Sequence, residues 1–532
     1  MPEPDLTQYL LDRNPWWSGS FSSPGIRREK YLKKIRQYVD TGEITELNGI
    51  RRSGKTTLLL QTIYDLIEQG ADPKSILFVN CDEPEVRAMN VPLGTILETY
   101  QHNIYGGEGV LLVFDEIQSI SGWEHWIKAW YDRKKYRIMI SGSTSSLLNS
   151  QLSPAISGRY LKITVHPLDF SEYLLFKGVE VPDDPLKITA KRYELLGHLR
   201  NYFEEGGFPA GISLQDKELQ REIISGYYDS IIFRDIERMH DIRNPRVLHE
   251  LIDYLMANIA LPYSYAKIAK MLNTDGVTIK EYVSAAEEAF LLYELRSFSY
   301  SLRAQNASQK KIYAADSGLR NIVSFRFSAD EGRLAENLVY LSLIQNTYRP
   351  YFWKGKHEVD FIIQHRDRTL SAVNVCYTDE IPEREFAGLE EFSKTFGEKT
   401  GMKILITKNV EKKERDIHCI PLYRWLLLSA KFYLPQNCSP ETFPLRKKIR
   451  QQKNYFFFAS GFRRRACGLN PCCFIALPRP YFSFSAAILS GADGPGTPTI
   501  SRVKLSGAIS RLYAFCLALN RTRTESIATT EP

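Results

Sequence analysis

A chain of 532 residues has room for roughly three or four domains and a substantial buried core. Its 43% hydrophobic and 25% charged residues suit a globular chain in water, and no apolar run approaches the ~20 residues of a membrane span. The polar, acidic start MPEPDLTQYLLDRNPWW lacks a signal-peptide core, so membrane and secreted classes are set aside and the cytoplasm is the expected compartment.

The formal charge of +7 is unevenly placed: from Phe443 onward there are 14 basic and 3 acidic side chains, which leaves the preceding body slightly acidic. The basic balance is therefore weak grounds for nucleic-acid binding by the body. None of the 8 cysteines falls in a C-x-x-C spacing, and reduced thiols are expected.

In chain order, Asn14-Pro15-Trp16-Trp17 leads into a predicted helix from Arg27 to Val39. A segment just before a nucleotide loop can pack on the base, which makes Trp16, Trp17 and Arg28 candidates for adenine contact; packing of two tryptophans at a domain edge is the favoured alternative. Next, Ile44–Leu47 reads as a strand and Leu58–Glu68 as an amphipathic helix, and between them Gly49, Gly54, Lys55 and Thr56 fit G-x-x-x-x-G-K-[ST]. The glycines let backbone N–H groups curl toward phosphates at a helix N-terminus. The binding set is therefore Gly49, Ile50, Arg51, Arg52, Ser53, Gly54, Lys55, Thr56 and Thr57, with Lys55 on phosphate charge and the Thr56 hydroxyl on Mg²⁺.

Ser75–Asn80 is a predicted buried strand, and Val110–Phe114 is a continuous apolar run ending in Asp115-Glu116, as a parallel strand covered on both faces would be. Acids at the carboxyl end of such a strand face the ligand crevice. Asp115 is a candidate to hold Mg²⁺ and Glu116 to orient or deprotonate the attacking water. A third strand, Tyr136–Ile140, ends in Ser141-Gly142-Ser143, where Ser141 or Ser143 is read as a γ-phosphate sensor or, alternatively, a helix cap. Arg159, in a glycine turn before the strand Leu161–Val165, is a candidate for transition-state charge supplied in cis or from a neighbouring subunit, with a structural salt bridge as its rival. Strands alternating with helices predict an α/β fold with a parallel sheet of the P-loop NTPase kind.

Together, NGIRRSGKTTLL, LLVFDEIQ, ISGSTSSLL, SGRY followed by HPLDFSEYL, and EEGGFPA resemble the bacterial and archaeal AAA-type ATPases that carry a C-terminal domain of unknown function; the resemblance runs from about Asn14 to Leu428. It implies a P-loop ATPase core over 1–185, a helical lid over 186–260, a winged-helix-like segment over 261–305 and an α/β nuclease-like C-terminal domain over 306–430. It also implies ATP, in keeping with the lack of an N-K-x-D guanine motif, and it leaves the client undefined.

In the lid, Arg234, Asp235 and Arg238 are expected on a solvated charged face. Over Pro262–Leu295 two short helices, a glycine turn and an aromatic run fit a helix-turn-helix with a wing. Its second helix carries Lys280 but also Glu281, Glu287 and Glu288, which favours a protein partner over DNA. In the C-terminal domain, Glu336 and Asp360 match the Mg²⁺-holding acids of restriction-like nucleases, whereas the E-x-K position reads Asn374-Val375-Cys376, so an inactive nuclease-like fold is expected; nothing in their spacing puts Lys403 or Lys408 in the missing role. The residues over 431–532 are read as a basic tail, better explained by a frameshift or read-through than as a selected domain, with a disordered nucleic-acid-binding tail as the alternative. The functional expectation is an ATPase, in an oligomer or alone, that switches a C-terminal recognition module; the alternatives are a nucleotide-dependent DNA-binding regulator with little hydrolysis and an ATP-dependent nuclease.

Overall fold

Five short apolar segments form the N-terminal sheet: β1 (Ile44–Asn48), β2 (Ile76–Asn80), β3 (Leu111–Asp115), β4 (Arg137–Gly142) and β5 (Tyr160–Thr164). In this computed structural model, which describes residues 5–145, 158–181, 184–324, 331–428 and 433–434, they pair in parallel in the order β2-β3-β4-β1-β5. Both faces are covered, and the period of two sorts the side chains between them. From β3, Leu112 and Phe114 join one apolar layer with Trp123, Ile127 and Trp130, while Leu111 and Val113 join the other with Leu32, Ile35 and Leu59. All five strands point the same way, so the loops after β1, β3 and β4 gather at one edge.

The segment after the sheet is helical, with helices Arg192–Glu205, Lys217–Ser230 and Pro245–Ala257 and a π-helical turn over Ile231–Glu237. Helices Tyr265–Met271 and Gly276–Glu288 follow, capped by the Ser264 and Asp275 side chains. Next come β6 (Leu292–Arg296) and β7 (Lys310–Ala314), which pair antiparallel. The sequence reading assigns Ile312–Asp316 to the C-terminal domain, but the register Tyr293 to Tyr313 makes it the second strand of a hairpin begun before that boundary.

The C-terminal domain is a mixed sheet of β8 (Pro350–Lys354), β9 (Glu358–Gln364), β10 (Leu370–Cys376), β11 (Thr400–Thr407), β12 (Lys412–Glu414) and β13 (Ile417–Pro421), in the order β12-β13-β11-β10-β9-β8. The helix Glu331–Gln345 packs Leu334 and Leu338 with Phe361, Val373 and Ile404 on one face; the helix Glu383–Phe396 packs Phe386, Leu389 and Phe392 with Ile362, Ala372 and Leu405 on the other. Among the described residues no helix is long and apolar enough to cross a membrane. The cysteines Cys81, Cys376 and Cys419 are buried free thiols. The expectations for the basic tail fall on residues outside those described.

Candidate functional site

The loop between β1 and the helix Lys55–Glu68 has the shape its glycines allow. Gly49 sits at φ +140°, where a Cβ would lie 2.1 Å from the Val165 carbonyl oxygen, and Gly54 sits at φ +100° as the N-cap. The first N–H groups of the helix have no intrahelical acceptor and open into the loop. Ser53 Oγ is buried without a hydrogen-bond partner, a donor placed for an anion's oxygen. The loop is braced from behind by Arg28, which is 4% exposed. Its Nη1 donates to the Ser53 carbonyl (2.9 Å), its Nη2 to the His166 carbonyl (3.0 Å), and Nε and Nη2 grip Glu172 at 2.9 and 2.8 Å.

The structure brings Lys55, Thr56, Asp115, Glu116, Ser141 and Ser143 together at the carboxyl edge of the sheet. Lys55 Nζ donates to the carbonyls of Gly49 (3.0 Å) and Ile50 (3.3 Å) and lies 3.6 Å from Glu116 Oε1. Thr56 Oγ1 donates to Asp115 Oδ2 at 2.6 Å, and Ser141 Oγ donates to Asp115 Oδ1. Ser141 Oγ in turn accepts the Glu116 N–H at 3.1 Å. Glu116 is held at φ +50°, a left-handed conformation uncommon outside glycine, and its Oε2 accepts from Gln118 Nε2 at 2.6 Å.

Their surroundings shift the two acids in opposite directions. Burial, together with the neighbouring Glu116 charge, pushes the Asp115 carboxyl up to about 6. Burial also works against ionisation of Glu116, but the Lys55 ammonium and the Arg51 guanidinium overcome it and hold that carboxyl below its ordinary range. Held ionised, Glu116 can accept a hydrogen bond from a water; it becomes a stronger base only when Lys55 moves away, because the ammonium is what lowers it. The hydroxyl of Thr56 and the carboxylate of Asp115 are hard oxygen donors, a pair that fits Mg²⁺.

Residues 41–174 match the AAA domain, 196–330 a domain of unknown function (DUF8612) and 331–425 another (DUF4143). The chain is 31% identical over 412 residues to an uncharacterized protein of Haemophilus influenzae, an alignment spanning 76% of this chain and 98% of that protein. The chain belongs to this family of AAA-type P-loop ATPases. A second member, an uncharacterized protein of Methanocaldococcus jannaschii, is 30% identical over 422 residues and is covered over 91% of its length. Among solved structures, the Walker-type ATPase of Pyrococcus abyssi is similar at 15% identity and a TM-score of 0.37, with 58% of this chain and 99% of that one aligned.

For Trp16, Trp17 and Arg159 of this AAA-type chain the structure shows the packing and salt-bridge alternatives of the sequence reading. Trp16 and Trp17 both donate from Nε1 to the Ile76 carbonyl, at 3.2 and 2.9 Å, so their indoles are fastened at the start of β2, the end of the sheet away from the phosphate loop. Arg28 braces the loop and also lines the cavity beside it. A cavity of about 240 Å³ does adjoin the loop, and it is lined by Gly25, Ile26, Gly54, Thr57, Phe176 and Pro209. Arg159 is not brought to the loop in this chain: its carbonyl accepts the Ile44 N–H at 3.1 Å, at the amino end of β1, and its Nη1 pairs with Asp132 at 2.8 Å.

The sequence reading also missed the main contact between the phosphate loop and the helical segment after the sheet. Asp235, expected on a solvated face, is 2% exposed. It takes a bidentate pair from Arg51, with Nε and Nη2 each at 2.9 Å, and accepts from Ser143 Oγ at 2.8 Å. Arg234 stays exposed and reaches Asp82 at 3.4 Å. The only local signal was an acid set between apolar residues in IIFRDIE, a weak one. Ile50 is buried under the loop, and Arg52, at φ +69°, lies over the Tyr227 ring at 5.5 Å.

Proposed function

We propose that the chain hydrolyses ATP to ADP and phosphate at Gly49–Thr57 and that the nucleotide releases the helical lid. The observation that carries this reading is Glu116, ionised and 3.6 Å from Lys55 beside the Thr56–Asp115 pair. Lys55 would leave the loop carbonyls for the phosphates, and Thr56 and Asp115 would hold Mg²⁺. Bound there, Mg²⁺ would neutralise charge on the β- and γ-phosphates. Glu116 would accept the proton of the attacking water, oriented by Gln118; Ser141, already engaged with Asp115 and the Glu116 N–H, keeps both acids in place. The base would enter the cavity beside Gly54 and Thr57, against Ile26, Phe176 and Pro209. Arg159 points away from this centre, so its candidate part is as a donor to a neighbouring subunit.

The lid follows from the Asp235 contact. Its carboxylate occupies Arg51 and Ser143, two groups that a γ-phosphate would also seek, because the guanidinium fork binds carboxylate and phosphate alike. Phosphate and Asp235 would then compete, and ATP would favour the released lid. The client is proposed to be a protein: Met271 and Val277, on the two short helices after the lid, are 52% and 66% exposed, and the exposed Asp275 cap and Glu281 offset the exposed Lys267, Lys270 and Lys280 of the same helices.

The test is ATP turnover by the full chain, with and without duplex DNA, alongside Lys55→Ala and Glu116→Gln. Turnover should fall by at least about 10²-fold in both variants, with Glu116→Gln still binding ATP and Lys55→Ala binding it poorly. A wild-type chain that binds ATP without hydrolysing it, or turnover that survives Glu116→Gln, would remove Glu116 from its role. Stimulation by DNA would replace the protein client with DNA.

A further inference from the structure

The C-terminal sheet holds a second charged centre. Glu336, from the helix Glu331–Gln345, meets Glu358 and Asp360 from β9, the position where a nuclease-like fold would carry a divalent cation. Into it reaches a residue the sequence reading did not consider, Lys311 of β7, which is 1% exposed. Its Nζ lies 2.9 Å from Glu336 Oε1, 2.7 Å from Glu358 Oε1 and 3.3 Å from Asp360 Oδ1. An ammonium has three N–H donors, and here each has a carboxylate.

Two of the acids are held by further donors. Tyr313 donates to Glu336 at 2.7 Å, and the Val375 N–H donates to Asp360 Oδ2 at 2.9 Å. Asn374 stands where the missing second carboxylate would be; it accepts the Asp360 N–H at 3.1 Å and donates to Glu385 at 3.2 Å. Lys403 and Lys408 lie elsewhere, paired with Asp416 and Asp379. A divalent metal would need the same carboxylate oxygens at ~2.0–2.6 Å, and the ammonium already sits among them. Among the described residues no group of three or more His, Cys, Asp or Glu side chains is arranged to hold a metal ion. The Mg²⁺ of an active nuclease does not fit this centre.

We propose that Lys311 is the resident cation of the Glu336–Glu358–Asp360 centre: it takes the place of a divalent metal, fastens the β6–β7 hairpin to the C-terminal sheet, and leaves that domain a metal-free module that does not cut phosphodiesters. This reading is independent of the phosphate-loop chemistry. Because burying several carboxylates requires a partner charge, the lysine is the member whose removal creates a demand for another cation.

The experiment counts Mn²⁺ bound to the full, nucleotide-free chain by electron paramagnetic resonance; any ion at the phosphate loop is common to all variants and cancels in the differences. Asp360→Asn should leave the wild-type count unchanged. Lys311→Met should gain one Mn²⁺ bound at least tenfold more tightly than any ion at this centre in the wild type, and Lys311→Met with Asp360→Asn should lose it again. If Lys311→Met does not fold, Lys311→Met with Glu358→Gln removes one negative charge, keeps Glu336 and Asp360, and should show the same gain. A wild-type Mn²⁺ ion that disappears with Asp360→Asn would overturn the proposal, as would a folded variant without Lys311 that gains none. Should neither lysine variant fold, the wild-type and Asp360→Asn counts decide alone: an equal count upholds the filled centre and an ion lost refutes it.

Discussion

Glu287 illustrates how burial alone sets a charge in this fold. Its Oε1 accepts the Glu294 N–H at 2.8 Å, at the start of the hairpin. Burial, reinforced by the Glu294 carboxylate, pushes its carboxyl from an ordinary 4.5 up to about 7. Between those two values the folded chain keeps a proton that the unfolded chain has lost, so the stability from this group is full below about 4.5 and is lost as pH rises through 7. Glu287→Gln, which cannot ionise, is expected to melt a few degrees above the wild type at pH 8 and together with it at pH 5. An equal difference at both pH values, read by thermal unfolding, would mean that packing and not titration distinguishes the two side chains.

At the scale of elements, the π-helical turn Ile231–Glu237 matters most, because it turns Asp235 inward while Arg234 stays at the surface. Asp235→Asn keeps the shape and removes the charge that competes for Arg51. It should tighten ATP binding several-fold and raise hydrogen exchange over Lys217–His240 in the nucleotide-free chain; unchanged affinity would mean that the contact is only structural. This contact was out of reach of a sequence reading, since Arg51 and Asp235 lie 184 residues apart. What could be read was local: the glycines and Lys55 within one loop, or the apolar run of β3 ending in two acids. Arg159 looked plausible on the same local grounds, and the parallel register then put it at the amino end of β1, because a residue preceding β5 must lie there. Lys311 escaped for the opposite reason: it precedes the acids it serves and belongs to a strand whose partner, β6, comes from another segment.

The molecule as a whole divides at Cys438. The apolar clusters of the described residues run from Tyr9 to Leu434, and a chain ending at Cys438 keeps them all. A chain ending at Cys438 is therefore expected to melt where the full chain does and to retain its ATP turnover; a loss of half or more of that turnover would give the basic tail a role. The parallel core could be anticipated as a whole because its strands are continuous apolar runs, and an α/β C-terminal domain through the family resemblance. The attachment of one to the next could not, since it depends on single buried ions such as Lys311.

Arg28 gives the assembly an order in time. Its guanidinium joins Ser53, His166 and Glu172, so the phosphate loop is braced only when partners separated by 144 residues are both present. During synthesis at ~5–20 residues per second, the loop leaves the ribosome several seconds before Glu172 does. Throughout that interval the nascent chain carries the phosphate-loop sequence without the Glu172 end of its brace.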